Sequence, residues 1–146
     1  MCSMARLDGF RSAMHTAGLS VDPTLVEFGD FHVAGARVIA LRMLSREDRP
    51  TAIFAGSDLQ AFGVFDAARM LGLSVPADVS VVGYDDLPQA EWSSPPLTTV
   101  HQPLREMAET AVRLVLDPQE DTAPARLDLA TALVVRDSTA VPVGSA

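Results

Sequence analysis

Three short segments concentrate the residues that could do chemistry. Phe28-Gly29-Asp30-Phe31, Ala55-Gly56-Ser57-Asp58 and Gly83-Tyr84-Asp85-Asp86 each place a glycine within two residues of an acid. A carboxylate accepts several hydrogen bonds, which suits the hydroxyls of a small polar molecule. Glycine lets such a molecule approach the backbone closely. Arg6 supplies a planar fork of donors that stays charged and fits vicinal hydroxyls or a carboxylate. A cation near a helix N-terminus is mildly unfavourable, so Arg6 there calls for a compensating partner. Each residue also has a plainer reading. Arg6 could be a surface arginine, Asp85 and Asp86 could cap a turn, and Ser57 or Asp58 could cap a helix. Phe31 could be a core phenylalanine at a strand end.

Other chemistries lack their parts. All eleven basic residues are arginine. Without lysine there is no Walker-A phosphate loop, Schiff base or Ser-Lys pair. No Gly-x-Ser-x-Gly elbow is present. His15, His32 and His101 are scattered, with no partner at metal-ligand spacing. The single cysteine, Cys2, forms neither an internal disulfide nor a Cys-based zinc cage. Neither a metal nor a cofactor is expected. The formal charge of −8 argues against unaided DNA binding, which needs cations to neutralise phosphates. No apolar run is long enough for a membrane helix, and the N-terminus reads as no secretory leader, so a cytoplasmic protein is expected.

The elements that must position these residues follow from periodicity. Leu7, Phe10, Met14 and Ala17 share a helix face, with Gly18 at the C-cap position. Leu25–Phe28 predicts a short strand, Val33–Ser45 a helix and Pro50–Ala55 a buried strand. Ser57 or Asp58 then caps a helix with Ala61, Phe65, Ala68 and Gly72 on one side. Val79–Tyr84 is the next strand. Strand and helix alternate with tight connections, which predicts an α/β fold: three layers, a mostly parallel sheet with helices on both faces. In such sheets ligands bind beyond the C-terminal strand ends, where the three Gly-acid segments fall. Leu87–Pro96 reads as a loop, Leu97–His101 as a strand, and Pro103 opens a helix with the stripe Leu104, Met107, Ala108, Ala111 and Val115. Asp117-Pro118 stops it. Two short strands are expected near 125–129 and 131–135, then a loose tail.

Three segments in order resemble the lactose/galactose-repressor family of transcription regulators. They are Arg6-Leu7-Asp8-Gly9-Phe10; Ala52–Asp58 running into Ala61-Phe62-Gly63; and Val75–Asp86 continued by Pro95–Val100. The resemblance spans about residues 3 to 138. It implies the C-terminal lobe of a type I periplasmic-binding-protein-like fold, built from residues 3–96 and 125–138. Residues 97–124 would form a crossover segment and a helix of a first lobe that is largely missing from this sequence, as is the DNA-binding helix-turn-helix. It further implies that Arg6, Phe31, Ser57 and Asp85 contact a small effector, most often a sugar, with Asp58, Asp86 and His32 as further candidates. Ser57 departs from the asparagine common at its position, keeping a hydroxyl without the amide. The partners implied are the effector, a second copy in a homodimer, and DNA only through the helix-turn-helix.

Three functions compete. The resemblance favours the sensor of a transcriptional regulator, not an enzyme. The same fold serves sugar carriers of transport systems, which need export. A small hydrolase or phosphoacceptor using Asp85 and Asp86 is disfavoured, because a receiver needs a lysine and a hydrolase needs a nucleophile with a base. Fold alone does not decide among them.

Overall fold

The computed structural model describes residues 2–116 and 127–141. Helix α1 runs from Cys2 to Thr16, α2 from Val33 to Leu44, α3 from Asp58 to Met70, α4 from Pro88 to Trp92 and α5 from Leu104 to Leu116. The strands are β1 (Ala52–Phe54), β2 (Ser80–Asp85), β3 (Thr98–His101) and β4 (Ala132–Val134). They form one sheet in the order β1-β2-β3-β4. The first three are parallel, and β4 returns antiparallel to β3, with Thr99 opposite Val134. The parallel run needs helical crossovers, which α3 supplies between β1 and β2.

Side-chain alternation divides the sheet into two faces. On one, Ile53, Val81 and Leu97 pack beneath α3 in a core with Ala61, Val64 and Ala68. Val81, Val79 and Leu97 are fully buried, each contributing about 1.5–3 kcal/mol. Small residues bring α2 against α3: a Cβ on Gly63 would stand 2.6 Å from the Val33 carbonyl. On the other face, Phe54 stacks on Phe10 of α1 at 6.0 Å between ring centroids. Leu7, Phe10 and Met14, the expected stripe of α1, are each half-buried.

Several expectations need correcting. Leu25–Phe28 is not a strand: a 3-10 turn covers Pro23–Leu25, and Val26 is extended without a ladder partner. A cavity of about 350 Å³ lies between this segment and β1, lined by Val26, Phe28, Phe54, Phe10 and Ile39. Apolar side chains face Val26–Phe28 across it where a pairing backbone would be required. Leu87–Pro96 is not all loop, because Pro88 opens the single-turn α4 whose Ala90 is buried. Of the two strands expected after residue 124, β4 is present, Leu127–Asp128–Leu129 is irregular, and residues 125–126 lie outside the described residues.

The crossover expected over 97–124 divides into two kinds of structure. Thr98–His101 sits inside the sheet as β3, and Thr98 and Thr99 are buried. Helix α5 has no buried residue, and Leu104, Met107 and Val115 are 49%, 45% and 76% exposed. Residues 117–124 lie outside the described residues.

Candidate functional site

Arg6 and Asp85 meet at the C-terminal edge of the sheet. The early turns of α1 carry Arg6 across the face of β2, where its guanidinium lies 3.8 Å from the centre of the Tyr84 ring. One guanidinium nitrogen donates to the Gly56 carbonyl just beyond β1. The other stands 3.6 Å from Asp85 Oδ1. That separation is an ion pair and not a hydrogen bond, so both groups keep hydrogen-bonding capacity for a ligand. The ring quadrupole and the carboxylate supply the counterweight that a cation at this end of a helix requires. Asp85 Oδ1 also accepts from Gln102 Nε2 at 2.5 Å.

Asp85 and Asp86 have positive φ, 117° and 56°. Asp tolerates the left-handed region better than most residues, yet such positions cost on the order of 1–3 kcal/mol each and persist where the surroundings hold them. The turn sends the two carboxylates to different partners. Asp86 Oδ1 accepts from Arg136 Nη2 at 2.8 Å, and Oδ2 pairs with His101 Nδ1 at 3.0 Å. Burial works against the Asp86 charge, but the hydrogen bonds from Arg136 and His101 outweigh it and hold the carboxyl below the usual range. Arg136 also donates to the Leu97 carbonyl at 2.8 Å, so it ties the chain after β4 to the start of β3 and to the turn.

Ser57 and Asp58 face inward. Ser57 is 3% exposed and caps α3, its Oγ accepting from Gln60 N–H at 3.2 Å. Its hydroxyl is not brought into the open with Arg6 and Asp85, although the neighbouring Gly56 carbonyl is. Asp58 is fully buried. It accepts from the Thr99 hydroxyl at 2.5 Å and from Leu87 N–H at 2.7 Å. Burial pushes its carboxyl up; the two hydrogen bonds oppose this, and the charges of Asp85 and Asp86 add to it.

Phe31 and His32 sit at the start of α2, both exposed. Phe31 lines the cavity beside β1, whose upper rim includes Arg6 and Gly56. The Asp30 carbonyl accepts from Gln60 Nε2 at 2.8 Å, which ties this loop to the first turn of α3. The structure therefore unites Arg6 and Asp85 and sets Phe31 on a cavity that Arg6 shares. It turns Asp86 aside and keeps Ser57 and Asp58 beneath. Sequence reasoning missed Gln102. Its one signal was position: it follows β3 directly, at the strand-end edge where ligand groups gather. Among the described residues no three His, Cys, Asp or Glu side chains gather as metal ligands, and no helix is long and apolar enough to cross a membrane.

Residues 3–139 match the family model of the periplasmic binding protein-like domain. The chain is 41% identical over 140 residues to the HTH-type transcriptional regulator CelR of Thermobifida fusca, covering 94% of this chain and 41% of the relative. It is 38% identical over 135 residues to the HTH-type transcriptional repressor PurR of Photobacterium profundum, covering 91% and 40%. Among solved structures, a CelR–cellobiose complex superposes with a TM-score of 0.80 at 42% identity, covering 91% of this chain and 41% of that one. The chain thus spans about two fifths of the length of the curated relatives it matches. The mostly parallel sheet and these matches agree, and the chain belongs to the periplasmic binding protein-like domain family, in the branch whose members are LacI-family transcriptional regulators.

Proposed function

We propose that this chain senses a small polyhydroxylated effector, a sugar in the first instance, for a transcriptional regulator. The observation that carries this reading is the Arg6–Asp85 pair. It lies at the C-terminal edge of a parallel sheet over the Tyr84 ring, close enough to share a ligand and too far apart to satisfy each other. A sugar hydroxyl both donates and accepts, so it can bridge the two, donating to the carboxylate and accepting from the guanidinium. Phe31 would flank the ring. On this reading Asp85, Arg6 and Phe31 contact the effector directly. Ser57, Asp58 and Asp86 shape the edge from behind, and His32, beside Phe31 in the chain, is exposed. The relative solved with cellobiose supports a carbohydrate; the flat apolar face of the exposed Phe31 would also suit a nucleobase, which is the competing effector.

A sensor is favoured over an enzyme because the relatives this chain matches are named as transcriptional regulators and repressors. Contact with DNA would run through a helix-turn-helix such as the relatives' names carry, in a cytoplasmic homodimer. The exposed Trp92 and the uncovered apolar side of α5 are the surfaces such an assembly would cover. Residues 3–96 with 125–138 would then be one lobe, and the segment beyond His101 the link to another. Isothermal titration with cellobiose, ribose and guanine tests the reading. Saturable heat with a sugar supports it, heat with guanine alone redirects it to a purine sensor, and a flat response to all three contradicts it.

A further inference from the structure

Asp58 is the only fully buried carboxylate among the described residues, and helix capping does not account for it. Ser57 already caps α3, and both side-chain hydrogen bonds of Asp58 leave its own helix. Oδ1 reaches Thr99 in the centre of β3. Oδ2 takes the N–H of Leu87, the first residue after the left-handed pair Asp85–Asp86. On the upstream side of that pair, Gly83 leaves room for the Leu97 side chain and for this carboxylate, since a Cβ there would collide with both. The same side chain therefore touches the turn from both ends. It also fastens it to β3, the strand directly followed by Gln102, whose amide reaches Asp85.

We propose that Asp58 is a positioning residue: it holds the Asp85–Asp86 turn in its left-handed form and so aims the Asp85 carboxylate at the space it shares with Arg6. A turn made of two non-glycine residues at positive φ relaxes unless its flanks are pinned. Arg136 pins the side chain of Asp86 from the solvent side, and Asp58 pins the backbone from the core side. The consequence for effector affinity rests on the sensing role proposed above; the brace itself does not.

Two substitutions separate shape from charge. In Asp58→Asn the carboxamide oxygen can still accept from Leu87 N–H, while its nitrogen donates to the Thr99 hydroxyl, which accepts as readily as it donates. In Asp58→Ala both links are lost. Amide hydrogen exchange on the 146-residue chain reads the brace directly. In Asp58→Ala the Leu87 amide should exchange roughly 100-fold faster relative to the core amides of Val81 and Ala67, and in Asp58→Asn it should keep its wild-type protection. If Asp58→Ala does not fold, the wild type decides. The Leu87 amide proton shift should titrate with an acid whose pH response disappears in Asp58→Asn. Leu87 protection that only tracks global stability in Asp58→Ala, or a titration unchanged in Asp58→Asn, overturns the proposal. Cellobiose titration is the separate arm. A tenfold or greater loss of affinity in Asp58→Ala, restored in Asp58→Asn, ties the brace to sensing. Altered Leu87 exchange with unaltered affinity keeps the brace and refutes its role in binding.

Discussion

Replacing Arg6 by alanine should cost the free protein stability as well as effector affinity. The guanidinium makes three contacts within the chain. Its hydrogen bond to the Gly56 carbonyl is charge-assisted and worth about 1.5 kcal/mol net. Its placement over Tyr84 adds roughly 0.5–1 kcal/mol. The ion pair with Asp85 adds about 0.5 kcal/mol or less, because the 3.6 Å gap is wide and both side chains keep some solvent contact. Contacts that share one group are not additive, so Arg6→Ala should lower the unfolding free energy by about 2 kcal/mol. Urea denaturation measures this, with the slope unchanged if only stability has moved. Arg6→Lys should recover little, since an ammonium lacks the planar fork that reaches Gly56 and covers the ring together. A loss below about 0.5 kcal/mol in Arg6→Ala, the range of an ordinary surface substitution, would refute the argument that these three contacts hold Arg6 in place.

Other consequences can be measured in the same way. Leu97→Ala empties a fully buried site between the sheet and α3 and should cost about 2–5 kcal/mol in urea melts. Gly63→Ala forces α2 off α3 and should destabilise by about 1–3 kcal/mol, read as a lower denaturation midpoint. Val115→Glu on α5 should leave the stability of the monomer within about 0.5 kcal/mol, because no described residue covers that side chain; dilute thermal melts check it. Acid titration should show Asp86 and Asp58 acting in opposite senses. The lowered Asp86 contributes stability that is present above its unfolded value of 3.8 and lost as pH falls through its folded value, so Asp86→Asn should be less stable than the wild type at pH 7 and converge with it in acid. The raised Asp58 contributes stability that is present below 3.8 and lost as pH rises through its folded value, so Asp58→Asn should gain on the wild type as pH rises past that point.

The parts of the fold that were readable in the sequence were those with local causes. The apolar runs before Gly56 and Gly83 became β1 and β2, and Ser57 capped α3 because a short hydroxyl three residues before a free amide does so in any context. The strand expected at Leu25–Phe28 failed because a strand needs a backbone partner, and composition does not reveal whether β1 offers one. α4 stayed hidden because a five-residue helix in a proline-rich stretch has no periodicity to detect. At the site, Asp85 was legible as an acceptor at a strand end, and Arg6 became legible as its donor through the family resemblance of Arg6-Leu7-Asp8-Gly9-Phe10. The inward commitment of Asp58 was not, because an acid at the first helical position looks the same whether it faces solvent or the core. Gln102 was invisible for a related reason: only the register of β3 against β2 brings it beside Asp85.

The measurement that tests the account most directly is isothermal titration of cellobiose into the wild type, Arg6→Ala and Asp85→Asn, with ribose and guanine run alongside. Saturable sugar binding to the wild type is expected, with a loss on the order of 2 kcal/mol, about 30-fold in Kd, when either charged partner is removed. Affinity indifferent to both substitutions, or no binding of any of the three compounds to the wild type, would contradict it.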